Sequence, residues 1–410
     1  MQHAERIPRM KALLVENIHP EADTAFARNG AVEIERIDHA VETGELIGRL
    51  KGVHLLGIRS RTRITREVLD AAPDLIAIGC FCIGTNQVDL EAAAEKGVYV
   101  FNAPFANTRS VAELTLASAV MLMRGIPAKS NAIRRGEWHK SAKGAHEVRG
   151  KKLGIIGYGN IGSQLSVLAS GHGMHVYFYD VEPKLAHGNA RPMNSVEDVL
   201  DIADVVTLHV PSTPQTRGMI GAEQLRRMKK GSFLINQARG DLVDIDAIAA
   251  AMRSGHIAGA AVDVFPKEPA SKDELFESPL LAFENVLLTP HIGGSTEEAQ
   301  AAIGLDAGIK LARYAFEGGS AKAVNLPELE PGLLAEGRTR LVSIHRNQPG
   351  YLSRLNEAAS AMGLNIASQY LNTAGAYGYA TADLEGDVPG DLLEKIEAMD
   401  GTIRARILTR

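Results

Sequence analysis

The chain is expected to fold as an α/β protein: two doubly wound parallel-sheet domains followed by a smaller βαββαβ domain. Three observations lead there. Apolar runs of strand length alternate with helical patterns from about residue 10 to 290. One of these runs feeds directly into a glycine-rich turn. Beyond a stretch at 316–337 dominated by glycine, proline and acidic residues, the pattern becomes strand, helix, strand, strand, helix, strand.

The early strand candidates are KALLVEN, HLLGIRS, LIAIGCF and VYVFNAP. KKLGIIG, HVYFYD, DVVTLHV, GSFLINQ, AGAAVDVF and NVLLTP follow. Continuous apolar runs with helices between them suit parallel sheets covered on both faces. Two long helices have start signals. Ser110 with Glu113, and Ser295 with Glu298, have capping-box spacing. Domain boundaries are expected near them. The first domain then spans 1–105 and 296–330, the second 106–295, and the third 337–410. Residues 316–337 read as a linker. The third domain contains RLVSIHR, NIASQYLNT, YGYATADLE and GTIRARILT as strands, in ferredoxin-like order. It is small enough to be marginal alone, and its edge strands would gain from pairing with another copy.

The bulk numbers exclude some classes. The 410 residues are too many for one ordinary core, and 45% are hydrophobic. A net charge of −5 argues against nucleic acid as the main partner. No window of 18 consecutive apolar residues exists, so no membrane span is expected. The N-terminus lacks the pattern of a secretory signal. Cys80 and Cys82 are too close to bridge readily and too few for a zinc site, so no metal is expected. Together these traits fit a cytoplasmic enzyme.

Gly157, Gly159 and Gly162 form G-x-G-x-x-G straight after the KKLGII strand. The first glycine permits a tight turn, the second lets backbone approach a pyrophosphate, and the third lets helix pack on strand. The next helix, opening at Asn160 and Ile161, offers free N–H groups to phosphate. HVYFYD ends at Asp180, 18 residues past Gly162, where a carboxylate can accept from ribose hydroxyls and repel a 2′-phosphate. The pattern therefore indicates a Rossmann domain that binds NAD rather than NADP.

Arg239, Glu268 and His291 each lie just past an apolar strand. In open α/β sheets ligands bind at those carboxyl ends. Oxidising a 2-hydroxy acid needs a base for the hydroxyl proton, which histidine suits. A carboxylate beside it would orient the ring and stabilise the imidazolium. A guanidinium can grip the substrate carboxylate bidentately.

With GYGNIG, HVP, NQARGDLVD, AAVDVFPKEP and LLTPHIGGST the chain resembles the D-isomer-specific 2-hydroxyacid dehydrogenases over almost its whole length. NAPFANTRSVAE, FCIGTNQVDL and GTIRARIL point to the branch that acts on a phosphorylated 2-hydroxy acid in serine biosynthesis and ends in an ACT domain. The resemblance implies that Asn236, Ala238 and Asp263 line the nicotinamide pocket and that the turn His291, Ile292, Gly293, Gly294 closes it. Gln237 departs from the pattern, where a small residue is expected. The retained Glu268 separates the chain from formate dehydrogenases of similar fold. Arg59, Arg61 and Arg63 alternate, so an extended segment would present one cationic face. By resemblance Arg59 and Ser60 face the substrate and Asn107 lies near it; ordinary solvated arginines are the alternative. His139, Lys140 and Lys143 form a second basic cluster beside Trp138, the sole tryptophan. Trp138 could anchor an interface or plug a local core. In the C-terminal domain His345, Asn347 and Asn365 resemble the family's L-serine site, formed where two copies pair. Serine would act there as feedback inhibitor on a homo-oligomer, a tetramer by family expectation. Reduction of 2-oxoglutarate is an implied side activity. The alternatives are an enzyme for an unphosphorylated acid such as glyoxylate or lactate, and an NAD-sensing corepressor on the same scaffold.

Overall fold

The computed structural model describes residues 10–30, 32–269 and 273–409. Backbone contacts divide the chain into two compact units, one running to Ala106 and resuming at Gln300, the other Asn107–Ala299.

The first unit begins with β1 (Met10–Leu14), α1 (Glu21–Asn29), β2 (Val32–Arg36), α2 (Thr43–Arg49) and β3 (Leu55–Ile58). α3 (Arg66–Asp70), β4 (Ala77–Cys80), α4 (Leu90–Glu95) and β5 (Tyr99–Asn102) complete a parallel sheet of order β2-β1-β3-β4-β5. β2 is absent from the apolar runs because VEIER is an edge strand with no buried residue.

The second unit holds α5 (Thr108–Met123), α6 (Ile126–Arg134), β6 (Lys152–Ile156), α7 (Asn160–Gly171) and β7 (His175–Tyr179). The two-residue β8 (Arg191–Pro192), α8 (Val196–Ile202), β9 (Val205–Leu208), α9 (Ala222–Arg227) and β10 (Ser232–Asn236) follow. α10 (Ile245–Arg253), β11 (Ile257–Val262) and β12 (Val286–Leu288) finish it. Its seven strands are parallel in the order β12-β11-β10-β9-β6-β7-β8, a doubly wound Rossmann sheet. The order reverses between β6 and β9, so the crevice at their carboxyl ends is where such sheets bind ligands.

The chain then runs through α11 (Glu297–Glu317) into β13 (Thr339–Arg346), α12 (Tyr351–Ala361), β14 (Asn365–Ala374), β15 (Tyr377–Glu385), α13 (Leu392–Glu397) and β16 (Thr402–Thr409). These four strands form an antiparallel sheet, β14-β15-β13-β16, in the βαββαβ order of an ACT domain.

Three expectations need correction. α5 begins at Thr108, so Ser110 lies inside its first turn and bonds Thr296 Oγ1 at 2.9 Å instead of capping; Glu113 pairs with Arg109. α11 is capped by Thr296, whose hydroxyl accepts from Ala299 N at 3.1 Å, not by Ser295. The stretch 316–337 is no loose linker. Leu326, Leu329 and Leu334 are buried, and the Ser320 hydroxyl donates to Pro327 O. Its composition suggested solvation, but Leu326 and Leu329 belong to a core shared with Tyr99, Tyr314, Val342 and Tyr379, so the C-terminal sheet packs within the first unit. Arg340, with no exposed side-chain surface, staples that seam. It donates to both carboxylate oxygens of Asp383 at 2.5 and 2.9 Å and to the carbonyls of Glu317 and Gly332 at 2.6 and 2.9 Å. Among the described residues no single helix is long and apolar enough to cross a membrane.

Candidate active site

The glycine turn is shaped for close backbone approach. Gly157 has φ +94°, and a methyl group there would lie 2.6 Å from the His209 carbonyl oxygen. At Gly162 it would lie 2.2 Å from the Gly157 carbonyl oxygen. At Gly159 it would meet nothing within 4 Å, so that backbone faces open space beside the first turn of α7. The N–H groups of that turn have no earlier carbonyl to reach, which is the donor set a pyrophosphate needs. Asp180 stands just past β7. Its Oδ2 accepts from Tyr158 N at 2.8 Å and its Oδ1 from Glu182 N at 3.0 Å, which fixes the carboxylate over the turn. Turn, helix start and acid fit a dinucleotide.

Arg239, Glu268 and His291 come from the carboxyl ends of β10, β11 and β12, three neighbouring strands of that sheet. His291 Nδ1 lies 3.1 and 3.0 Å from the two carboxylate oxygens of Glu268. The pair is half-exposed, at 53% and 40%, so a small molecule can reach it. Glu268 is itself oriented by Phe265 N, 3.2 Å from its Oε1. With Nδ1 engaged, Nε2 is left to face a substrate. His291 has φ +56°, a left-handed conformation uncommon for a residue with a side chain.

Asp263, 1% exposed, over-determines that turn. Its carbonyl accepts from His291 N at 2.8 Å, its Oδ1 from Ile292 N and Thr289 Oγ1 at 2.8 and 2.5 Å, and its Oδ2 from Gly293 N at 2.7 Å. Asp263, expected to line the nicotinamide pocket, also holds the histidine turn in place through these contacts. Asn236 does the same for the guanidinium. It is fully buried, donates to Arg239 O at 2.9 Å and accepts from Ala238 N at 3.2 Å. Arg239 is half-buried, with Nη1 on Ala238 O at 2.6 Å.

Asn107 precedes α5 and is 7% exposed, with no partner for its Oδ1. A methyl at Gly294 would lie 2.1 Å from Asn107 Nδ2, so any side chain there would have to displace that amide. His209, in the HVP block, went unnoticed in the sequence. The residue is partly buried: Nε2 lies 3.1 Å from Thr207 Oγ1, and Nδ1, shut from water, has no partner. Burial pushes its imidazole down to about 3.

In the first unit, Arg59 and Ser60 do not belong to an extended segment. The chain bends around the buried carboxylate of Glu16, which accepts from the backbone N of Arg59, Arg61 and Thr62 at 3.2, 3.1 and 2.8 Å. The single cationic face expected from alternation is therefore lost: Arg59 is half-buried, Arg61 and Arg63 are exposed, and Arg63 Nη1 reaches Asn86 O. Glu16, with φ +65° just past β1, was missed; an acid at the carboxyl end of a buried strand was the available signal. His139 pairs with Glu137, Lys140 and Lys143 are exposed, and Trp138 is 80% exposed, so it plugs no local core.

In the ACT sheet, His345 is buried and stacked on Tyr351 with centroids 3.7 Å apart. Burial lowers its pKa. Asn347 bonds Gly375 O at 3.1 Å. Asn365 instead bonds Glu385 at 2.7 Å. His345 pairs with Gly378 of β15 and Asn365 with Glu385, at opposite ends of that strand, roughly 24 Å apart at the rise of a strand. One copy cannot bring all three onto one amino acid.

A sequence profile described as D-isomer specific 2-hydroxyacid dehydrogenase, NAD binding domain, matches residues 116–293. The chain is 51% identical to a D-3-phosphoglycerate dehydrogenase of Haemophilus influenzae over 400 residues, 98% of this chain and 97% of that one. It is 51% identical over 402 residues to one of Escherichia coli, 98% of each chain. Among solved structures, a D-isomer specific 2-hydroxyacid dehydrogenase of Lactobacillus delbrueckii ssp. bulgaricus in its NAD-complexed form has a TM-score of 0.66 at 27% identity. That likeness covers 77% of this chain and all of the other. The chain belongs to the D-isomer-specific 2-hydroxyacid dehydrogenase family, NAD-dependent oxidoreductases, and within it to the branch of the D-3-phosphoglycerate dehydrogenases.

Proposed function

We propose that this chain oxidises 3-phospho-D-glycerate to 3-phosphohydroxypyruvate, the first step of the phosphorylated route to L-serine. The observation that carries the chemistry is the Glu268–His291 pair at 3.0 Å on the same strand-end rim as Arg239. The substrate assignment is supported by 51% identity, across 98% of the chain, to relatives of that name.

His291 Nε2 takes the C2 hydroxyl proton, while Glu268 holds the ring and offsets the charge it gains. Arg239 grips the substrate carboxylate and so fixes C2. The nicotinamide, when bound, supplies the hydride acceptor. Gly157, Gly159, Gly162 and the start of α7 receive the pyrophosphate, and Asp180 the adenine ribose. In the reverse direction His291 is the acid. Arg59 and Ser60 hold the substrate phosphate, and Asn107 is a further substrate-binding residue; a second carboxylate takes the phosphate's place in 2-oxoglutarate, a side substrate. L-serine inhibits from a site built by His345 and Asn347 of one copy and Asn365 of another, on a cytoplasmic tetramer.

Steady-state turnover of 3-phosphohydroxypyruvate with NADH, against glyoxylate, pyruvate and 2-oxoglutarate, tests the reading. The phosphorylated acid should give the highest kcat/KM. A preference for an unphosphorylated acid would overturn the substrate assignment and leave the family chemistry intact.

A further inference from the structure

The guanidinium and the imidazole of the active site sit on strands two apart in the sheet, β10 and β12, roughly 10 Å by strand spacing. Besides the sheet itself, one element touches both of their turns. α5 meets the histidine turn at its start: Asn107 packs on Gly294, and Ser110 bonds Thr296. One and a half turns further on, α5 meets the arginine turn through Gln237. Gln237 Oε1 lies 2.7 Å from Thr115 Oγ1, and Gln237 Nε2 donates to Ser118 Oγ at 3.1 Å. All three side chains are buried, at 8%, 0% and 2% exposure.

This is the position where a small side chain was expected, and a small one could reach neither hydroxyl. Two contacts thus tie residue 237 to α5. Ser118 accepts from Gln237 and donates to Leu114 O at 2.7 Å. Thr115 has one proton to share between Gln237 and Val111 O, 2.8 Å away. Buried hydrogen bonds of this kind rigidify the segments they join. Here the geometry fixed is that of residues 236–239, two residues from the guanidinium.

We propose that Gln237 is a positioning residue: it locks the Arg239 turn onto α5, and through α5 sets that guanidinium in register with His291. The inference rests on the carboxylate-gripping role of Arg239 given above. It deepens that reading, because it names a device by which this chain holds its substrate carboxylate that a small residue at 237 cannot supply.

The prediction is specific because both hydroxyls have fallback acceptors on α5. Gln237→Met keeps length and volume, removes the tie, and strands no donor. It should lower kcat/KM for the acid substrate by about tenfold, the factor that corresponds to about 1.4 kcal/mol. Most of the loss should be in the acid's KM, with the NADH dissociation constant within about twofold of the parent, since the glycine turn is untouched. Thr115→Val should reproduce the loss from the helix side, and Thr115→Ser should restore the parent value. Gln237→Met combined with Thr115→Val should be no worse than Gln237→Met alone, because the methionine already cuts both contacts with α5.

The comparison is made on whichever 2-hydroxy acid the parent turns over fastest, so a wrong substrate assignment does not decide it. If the parent turns over none, binding of oxalate to the NADH complex, read by quenching of cofactor fluorescence, reports on Arg239 directly. Equal losses in acid affinity, NADH affinity and thermal midpoint would mark Gln237 as packing alone and overturn the proposal. So would an acid KM within twofold of the parent. Should Gln237→Met fail to fold, the Thr115→Val and Thr115→Ser pair decides the matter by the same readouts.

Discussion

Replacing Glu268 by Gln isolates one physical term. Glutamine keeps the length and can still accept from His291 Nδ1, so the ring stays oriented while the negative charge disappears. During oxidation of the hydroxy acid the ring gains a positive charge, and the carboxylate stands 3.0 Å from Nδ1. Full water screening gives that attraction about 1.4 kcal/mol. The pair is 53% and 40% exposed, and an effective dielectric about half that of water gives about 2.8 kcal/mol. Because the charge exists only as the proton moves, the loss falls on kcat, by about 10- to 100-fold. The assay is steady-state oxidation with protio and C2-deuterated substrate. An isotope effect on kcat shows that hydride transfer limits the rate. A Glu268→Gln enzyme with that isotope effect and kcat within twofold of the parent would refute the charge argument. Glu268→Ala should be slower still, since the ring loses its orientation as well.

Asp180→Ala should weaken NADH binding by about 10- to 100-fold, the worth of hydrogen bonds to a charged group, and raise relative affinity for NADPH; a titration of cofactor fluorescence checks both. The depressed His209 imidazole implies acid sensitivity. The unfolded ring takes a proton below about 6.5, whereas the folded one stays neutral to about 3, so stability is full above the first value and declines below it. Between pH 7 and 5 the loss is about 2 kcal/mol, and His209→Gln should flatten the urea-unfolding profile over that window. An unchanged slope would show that the ring is solvated. Arg340→Met leaves Asp383 and the carbonyls of Glu317 and Gly332 without their shared donor. Removing one partner of a buried pair costs about 3–5 kcal/mol. For a unit of this size that lowers the thermal midpoint by about 10 °C, measurable by calorimetry.

What the sequence revealed follows from where its information is local. An apolar run ending in a polar residue is a property of six or seven neighbours, and parallel topology then puts every such end on one rim. That is why Arg239, Glu268 and His291 could be read as a constellation, and why Asp180 could be assigned from its distance to Gly162. The braces behind them join residues far apart in the chain. Gln237 reaches back 122 positions to Thr115, and Asp263 forward 30 to Gly293, spacings that no local pattern encodes. Composition misled in the same sense at 316–337. Its glycines and acids read as solvated, yet Leu326 and Leu329 are buried in one core with Val342 and Tyr379 of the C-terminal sheet. The alternating arginines misled because alternation reports a face only in a strand, and the Glu16 carboxylate bends 59–62 out of one. Such errors have a direction. Sequence reading places groups that act on a ligand and misses groups that act on the protein, since a ligand site gathers at strand ends whereas a brace needs only one buried partner anywhere in the chain. Gln237 was visible as a departure for a local reason, its place in a motif. Its meaning needed the helix it binds, and two hydroxyls three residues apart on the buried face of α5, Thr115 and Ser118, were the remaining clue.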